Sequence, residues 1–343
     1  MTYEEIKQSI LNLSEKERNR LILEVNIKED LPGSLESVLS IRRDKLNNKQ
    51  GVCPYCNHAH YVRFGVEKGS QRYRCKACKK TFTEYTGTWL AKLHKKHLAD
   101  SYLELMKGKN SLDKIKAKLG INKKTAFDWR HKILSSVEQI RKDKFDGITE
   151  SDDTFFRLSE KGRKQNSRLP RKRGKSLHKR GINNDHVAVI VTADRKKNMD
   201  LTVATLGRIK KSDIKKAIDE RIKQNTILCS DSHVSYKGYA TDKGIEHHTI
   251  RADLNEFVKS KIYHVQHVNG IDSRLKKWIE NDFNGVSTKY LQKYLNWFRM
   301  KEMLKSSKDF ITDLKQIIIE DTQALERFNE IDRQYQLLLQ KTT

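Results

Sequence analysis

The fold is decided by residues 147–156, which read GITESDDTFF and mark the change from helical patterns to strand patterns. Upstream, residues 95–142 have the apolar spacing of helices. Downstream, two strands, a helix and a short apolar strand are predicted at 186–192, 201–206, 210–224 and 226–229. Strands that alternate with helices indicate an α/β core beginning at this stretch.

Two strands of this core carry aspartates, one within a strand and one at a strand end. Because side chains alternate along a strand, Asp152 is predicted to point away from Asp153, towards a cleft. Asp231 directly follows an apolar strand, which places it at the carboxyl edge of the sheet, where α/β proteins have their sites. Carboxylates on a rigid frame are what two-metal phosphoryl transfer requires.

A third polar cluster follows, on a predicted helix after His264. Its members share one helical face by their spacing and are Asn269, Asp272, Ser273 and Lys276. Each of the three clusters taken singly is also compatible with a solvated face or a helix cap. Their order along the chain favours one shared site.

Four of the five cysteines form two C-x-x-C pairs separated by 18 residues: Cys53, Cys56, Cys75 and Cys78. The residues between the pairs fit a β-hairpin, and two such pairs are typical of a tetrahedral zinc site. Four protein ligands leave no open coordination position, so the Zn²⁺ is expected to be structural.

Residues 111–134 have the pattern of a helix-turn-helix. Leu112, Ile115 and Leu119 line one face of a first helix, which Gly120 can end in the left-handed conformation. Asn122 can cap a second helix, whose Ala126, Trp129 and Ile133 are expected to be buried. This arrangement predicts that four residues are free to contact DNA, namely Lys123, Lys124, Thr125 and Arg130. A plain helical hairpin is the alternative.

The formal net charge of +26 indicates a polyanionic partner. A strongly basic insertion at 157–185 includes Arg171, Lys172 and Arg173, which we expect to contact phosphates. The first 20 residues lack the apolar run of a signal peptide, and no apolar stretch is long enough to span a bilayer. We therefore expect a soluble, intracellular protein without a membrane partner.

These motifs together resemble the zinc-ribbon transposases of bacterial insertion sequences with an ISXO-type DDE domain, in the branch where Asn replaces the third acid. The resemblance covers about residues 50–300. It is carried by the cysteine ribbon and by residues 124–134, 149–156, 230–231, 267–269, 273–278 and 283–295.

The resemblance implies a ribonuclease-H-like fold and cut-and-paste transposition with Mg²⁺ or Mn²⁺, in a bacterial cytoplasm and in association with the nucleoid. The two family aspartates correspond to Asp152 and Asp231, and the third position corresponds to Asn269, with Lys276 seven residues later. Asp272, one turn from Asn269, stays open as an alternative third ligand. Asp153 stands where many relatives have Glu.

The expected fold is a multidomain α+β protein with a zinc ribbon, a helix-turn-helix and a ribonuclease-H-like domain whose mixed central sheet is flanked by helices. The predicted segments are a helical segment at 1–48, the ribbon at 49–90, the helix-turn-helix region at 91–145, the catalytic domain at 146–305 and a helical tail at 306–343. The expected partner is double-stranded DNA, both element ends and target, bound by a homo-oligomer. The alternatives are a non-catalytic DNA-binding regulator and a nuclease of the same fold.

Overall fold

The structure is a computed structural model that describes residues 2–14, 17–18, 21, 34–108, 110–139, 143–162 and 181–340. The chain divides into two compact units. The first comprises Met1–Val137 and Leu304–Phe328, and the second comprises Glu138–Met303 and Asn329–Thr343. Both helices and strands are present, as the predicted α+β class requires.

The first unit contains mainly helices. Its elements are α1 (Tyr3–Leu11), α2 (Leu35–Asn47), β1 (Tyr61–Glu67), β2 (Ser70–Cys75), β3 (Thr81–Phe82), α3 (Ala99–Lys107), α4 (Leu112–Leu119), α5 (Lys123–Ser136), α10 (Phe310–Glu320) and α11 (Ala324–Asn329). Strands β1, β2 and β3 form an antiparallel sheet around the buried rings of Tyr61, Tyr73 and Phe82. The cysteine pairs therefore flank a hairpin, as predicted.

Helices α4 and α5 form the predicted pair. Gly120 ends α4 with a φ of 59°, and the Asn122 side chain accepts a hydrogen bond from the Thr125 N–H at the start of α5. Ala126, Trp129 and Ile133 are buried on the inner face of α5. Both the turn chemistry and the apolar face expected from the sequence are confirmed.

The segment 304–328 completes the first unit late in the chain. Lys315 on α10 forms an ion pair with Asp100 (2.6 Å), and the Ile319 carbonyl accepts a hydrogen bond from Arg42. Gly87 has a φ of 80°, and a Cβ atom there would lie 1.9 Å from the Thr322 carbonyl oxygen. Only glycine therefore permits this close approach.

The second unit is built on a five-stranded mixed sheet. Its elements are β4 (Ile148–Arg157), β5 (His186–Asp194), β6 (Met199–Leu206), α6 (Lys211–Ile218), β7 (Ile227–Ser230), α7 (Val234–Lys243), β8 (Glu246–Thr249), α8 (Gln266–Phe283), α9 (Leu291–Met303) and α12 (Ile331–Gln340). The strand order is β6-β5-β4-β7-β8, with β4, β5 and β6 antiparallel and with β7 and β8 parallel to β4.

Apolar side chains cover both faces of this sheet. On β5, Ala188 and Ile190 pack in a core with α6 and α7, whereas Val189 and Val191 pack in a core with α8 and α9. Burial on both faces explains why β5 is an unbroken apolar run in the sequence. The mixed sheet flanked by helices, which the sequence predicts for the catalytic domain, is confirmed.

Three further expectations can be compared with the structure. The predicted tail at 306–343 is helical where it is described, but α10 belongs to the first unit and α12 to the second. Arg171, Lys172 and Arg173 lie outside the described residues. Within the ranges that are described, no helix is both long enough and apolar enough to cross a membrane.

Candidate functional site

The central acidic cluster forms where β4 and β7 separate. Their parallel pairing ends at Glu150 opposite Cys229, so β4 continues past the end of β7 without a neighbour on that side. Asp231 comes two residues after Cys229, level with the next residues of β4. Carboxylate oxygens of Asp152, Asp153 and Asp231 lie within 4.8 Å of one another.

Burial and mutual repulsion disfavour ionisation in this cluster. Desolvation, together with the charges of Asp231, Asp153 and Asp272, raises the pKa of Asp152 to about 7. Desolvation also raises the pKa of Asp153 to about 6, again with a contribution from Asp231. A divalent cation bound between these oxygens would relieve the repulsion, so the residues fit a metal.

Asp152 is fixed locally by its own backbone and by a polar layer behind the strand. Its carboxylate accepts a hydrogen bond from the Asp153 N–H (2.9 Å). On the opposite face of β4, the Ser151 hydroxyl lies 2.9 Å from Thr192 Oγ1 and 3.4 Å from the Tyr236 hydroxyl, all of them buried. These contacts fix the position of β4 behind the acids.

Helix α8 brings the third polar group to the same cluster. The negative charge of Asp272 contributes to the raised pKa of Asp152. The Oδ1 atom of Asp272 is buried and has no hydrogen-bond partner among the described residues. Its other oxygen pairs with Lys276 (2.8 Å). Asn269 lies one turn earlier, is exposed, and makes no side-chain hydrogen bond to any residue that the structure describes.

A second cluster of titratable groups adjoins the first on the same face of β4. Glu150 is almost fully buried and its carboxylate contacts His264, His267 and Arg195. The ligand atoms of Glu150, His264 and His267 also lie within 4.8 Å of one another.

The four cysteine sulfurs form a compact cluster in the first unit. Sγ atoms of Cys53 and Cys78 are 3.6 Å apart, as are those of Cys56 and Cys75, and all four lie within 4.8 Å of one another. Four sulfurs about 2.3 Å from one Zn²⁺ would have nearly this spacing in a tetrahedron. The geometry therefore fits the predicted metal.

The residues expected to contact DNA differ in their exposure. Lys123 and Lys124 are exposed at the start of α5, paired with Asp113 and Asp128, and Thr125 is partly exposed. Arg130, however, is buried and donates a hydrogen bond to the Asn110 carbonyl. Its expected freedom to meet DNA is not seen, because its position on α5 turns it inward.

Asp153 and Glu150 lie at or beside the acidic cluster, although the sequence pattern does not assign them to the site. Alternation alone directs Asp153 away from Asp152, but the early end of β7 lets both carboxylates approach Asp231. Glu150 has the same parity as Asp152 on β4, which was a usable signal for a shared face.

Three comparisons with known proteins bear on this chain. Residues 144–302 match the family of the ISXO2-like transposase domain. An uncharacterized protein in the transposable element ISH50 of Halobacterium salinarum is 26% identical over 260 residues, which are 74% of this chain and 86% of that protein. The resemblance to insertion-sequence transposases stated from the sequence is confirmed by both.

Similarity to solved structures is remote. A crystal structure of a pre-cleavage Mos1 transpososome matches over 95% of this chain and 94% of that chain, with 12% identity and a TM-score of 0.25. The mariner Mos1 paired end complex with Mg matches over 67% and 77%, with 14% identity and a TM-score of 0.23.

Proposed function

We propose that the chain is a DNA transposase that cleaves element ends and joins them to target DNA, because residues 144–302 match the ISXO2-like transposase domain. One observation carries the proposal: the carboxylates of Asp152, Asp153 and Asp231 meet inside that domain, beyond the end of β7. Two-metal phosphoryl transfer requires a protein site that fixes the metal ions, and clustered carboxylates can supply the ligands.

Asp152 and Asp231 would hold Mg²⁺ or Mn²⁺, with α8 supplying the third ligand. A metal ion bound there would supply activation of the attacking oxygen and stabilisation of the leaving oxygen of the phosphodiester. The chain's own part is to hold the carboxylates together at the end of β7. Lys276, on the same face of α8, would hold a DNA phosphate beside them.

We assign the third ligand to Asn269, following the family pattern, and a supporting negative charge to Asp272. The exposed amide of Asn269 is free to turn towards a cation, since the described residues offer it no competing side-chain bond. Asp272 already acts electrostatically on Asp152, and Lys276 balances part of its charge.

The first unit would deliver the DNA ends. Zn²⁺ bound by Cys53, Cys56, Cys75 and Cys78 would stabilise the ribbon, and the exposed Lys123, Lys124 and Thr125 at the start of α5 would contact the terminal repeats. The net charge of +26 supports a nucleic-acid partner. Transposition joins two ends, so we expect the active species to be a homo-oligomer on DNA.

A strand-transfer assay with the element's own ends tests the function. We expect cleaved ends and joined products with Mg²⁺ or Mn²⁺, and neither with Asp152→Asn or Asp231→Asn, although both variants should still bind DNA. Cleavage without joining would indicate a nuclease of the same fold. Binding without cleavage in the unaltered protein would indicate a regulator and contradict the proposal.

A further inference from the structure

Glu150 links the strand of the acidic cluster to the helix of the third ligand. It lies on β4 two residues before Asp152, and its Oε2 accepts hydrogen bonds from the N–H groups of His267 (2.8 Å) and Val268 (3.3 Å). These amides belong to the first turn of α8, whose own N-cap residue provides no side-chain bond. A carboxylate from another element therefore caps this helix.

The other oxygen of Glu150 fixes the segment that leads into α8. Oε1 lies 2.6 Å from His267 Nδ1, 3.1 Å from Arg195 Nη1 and 3.4 Å from His264 Nδ1. Arg195, which directly follows β5, also donates a hydrogen bond to the Ile262 carbonyl (3.0 Å). Residues 262–268 are thus held between β4 and the end of β5.

This second cluster is better explained as an ion-pair network than as another metal site. Arg195 Nη1 lies 3.1 Å from Glu150, 3.0 Å from His264 Nε2 and 2.7 Å from His267 Nδ1. A guanidinium stays protonated at all ordinary pH values, so a positive charge already occupies the space between the three groups.

We propose that Glu150, together with Arg195, is a positioning residue that sets α8 against β4 so that the third ligand faces Asp152 and Asp231. The inference rests on the proposed function. Asn269 is the next residue after Val268, whose N–H Glu150 holds, and Asp152 is two residues from Glu150. A metal site tolerates little displacement of its ligands, and loss of a supporting contact typically weakens metal affinity by about 10–100-fold.

The test is Mn²⁺ binding to the full-length, zinc-loaded protein without DNA, followed by the electron paramagnetic resonance signal of free Mn²⁺. Glu150→Gln keeps the side-chain size but removes the charge that pairs with Arg195. We expect it to raise the Kd for Mn²⁺ by about tenfold or more. Glu150→Asp keeps the charge with a shorter reach and should give an intermediate Kd.

Two further variants show that the measurement reports on this site. Asp152→Asn should abolish Mn²⁺ binding, which shows that the signal reports this site. Asp200→Asn is the matched control, because Asp200 is a buried carboxylate of the same sheet that pairs with Arg221 (3.0 Å) and not with α8. It should leave the Kd unchanged. Hydrogen exchange at residues 267–270 should accelerate in Glu150→Gln and stay unchanged in Asp200→Asn.

The outcomes separate the inference from the function on which it rests. Normal Mn²⁺ affinity in a folded Glu150→Gln protein overturns the positioning role and leaves the transposase proposal standing. Absence of Mn²⁺ binding in the unaltered protein contradicts both. If Glu150→Gln does not fold, Arg195→Gln replaces it, because Arg195 is partly exposed; an unchanged Kd in that variant likewise overturns the role.

Discussion

Asp152 is held in an environment that opposes its charge, so the metal-free protein is expected to be strained at this residue. The rise of its pKa from 3.8 to about 7 corresponds to at most about 4 kcal/mol. A carboxyl whose pKa is higher in the folded state contributes stability below its unfolded pKa, and this stability is lost as the pH rises from about 4 through about 7.

Asp152→Asn should therefore stabilise the zinc-loaded, magnesium-free protein at pH 8 and have little effect at pH 4. Solvent reaches part of Asp152, so we expect about 1–3 kcal/mol rather than the full value. Hydrogen exchange of the β4 and β5 amides at the two pH values measures the change. Asp200→Asn, which breaks a buried ion pair, should lower stability. If Asp152→Asn also lowered stability at pH 8, the expected strain at Asp152 would be contradicted.

The two candidates for the third ligand make opposite predictions. If Asn269 completes the site, Asn269→Ala should reduce cleavage by about a hundredfold or more, because a missing ligand affects every metal-dependent step. Asp272→Asn should reduce it by less than about tenfold, since it removes a supporting charge and no ligand. Single-turnover cleavage at saturating Mn²⁺ measures both. The reverse ranking would assign the third ligand to Asp272.

At this scale the sequence predicted that Asp152 and Asp231 share a site, and both lie in the acidic cluster. Asp152 follows from the alternation of side chains along a strand, and Asp231 follows from the end of an apolar strand. Asp153 joins them because β7 stops early, and Arg130 is turned inward by the packing of its helix. Both depend on neighbouring elements, which local patterns do not specify.

Among the elements, α5 is best suited to a mutational test of DNA binding. The Lys124 side chain is 82% exposed and, among the described residues, pairs with the nearby Asp128 alone, so its removal should leave the fold intact. Lys124→Ala should weaken terminal-repeat binding and reduce the slope of log affinity against log salt by about 1. Fluorescence anisotropy across a salt series provides the slope.

Arg130→Ala is the contrasting variant on the same helix. It should destabilise the first unit, because a buried guanidinium and its bond to Asn110 are lost, while the salt slope stays near that of the unaltered protein. A lowered slope for Arg130→Ala, with an unchanged slope for Lys124→Ala, would show that DNA is bound through a different surface.

Short-range chemistry made these elements predictable. A left-handed Gly120 and the Asn122 cap depend on adjacent residues, and both are found as expected. The division of residues 306–343 between two units was not predictable, since α10 and α12 are both amphipathic and their sequences do not name the surface that each covers.

On the scale of the whole molecule, zinc is expected to stabilise the ribbon independently of catalysis. The ribbon's own core is small, with Tyr61, Tyr73 and Phe82 as its main side chains, so metal binding should supply much of its folding energy. Cys53→Ser should expose residues 51–86 to proteolysis and lower the zinc content, while Mn²⁺ binding at the acidic cluster persists. Metal analysis of the unaltered protein that finds less than half an equivalent of zinc would contradict the site.

The return of residues 304–328 to the first unit has a consequence for biosynthesis. A ribosome makes the ribbon and the helix pair first, yet α10, which supplies Lys315 and Ile319 to that unit, emerges only after the entire five-stranded sheet has been translated. Until then, the surface of the nascent first unit that α10 covers stays exposed. Folding during translation is thus expected to finish in the sheet domain before it finishes in the region that was synthesised first.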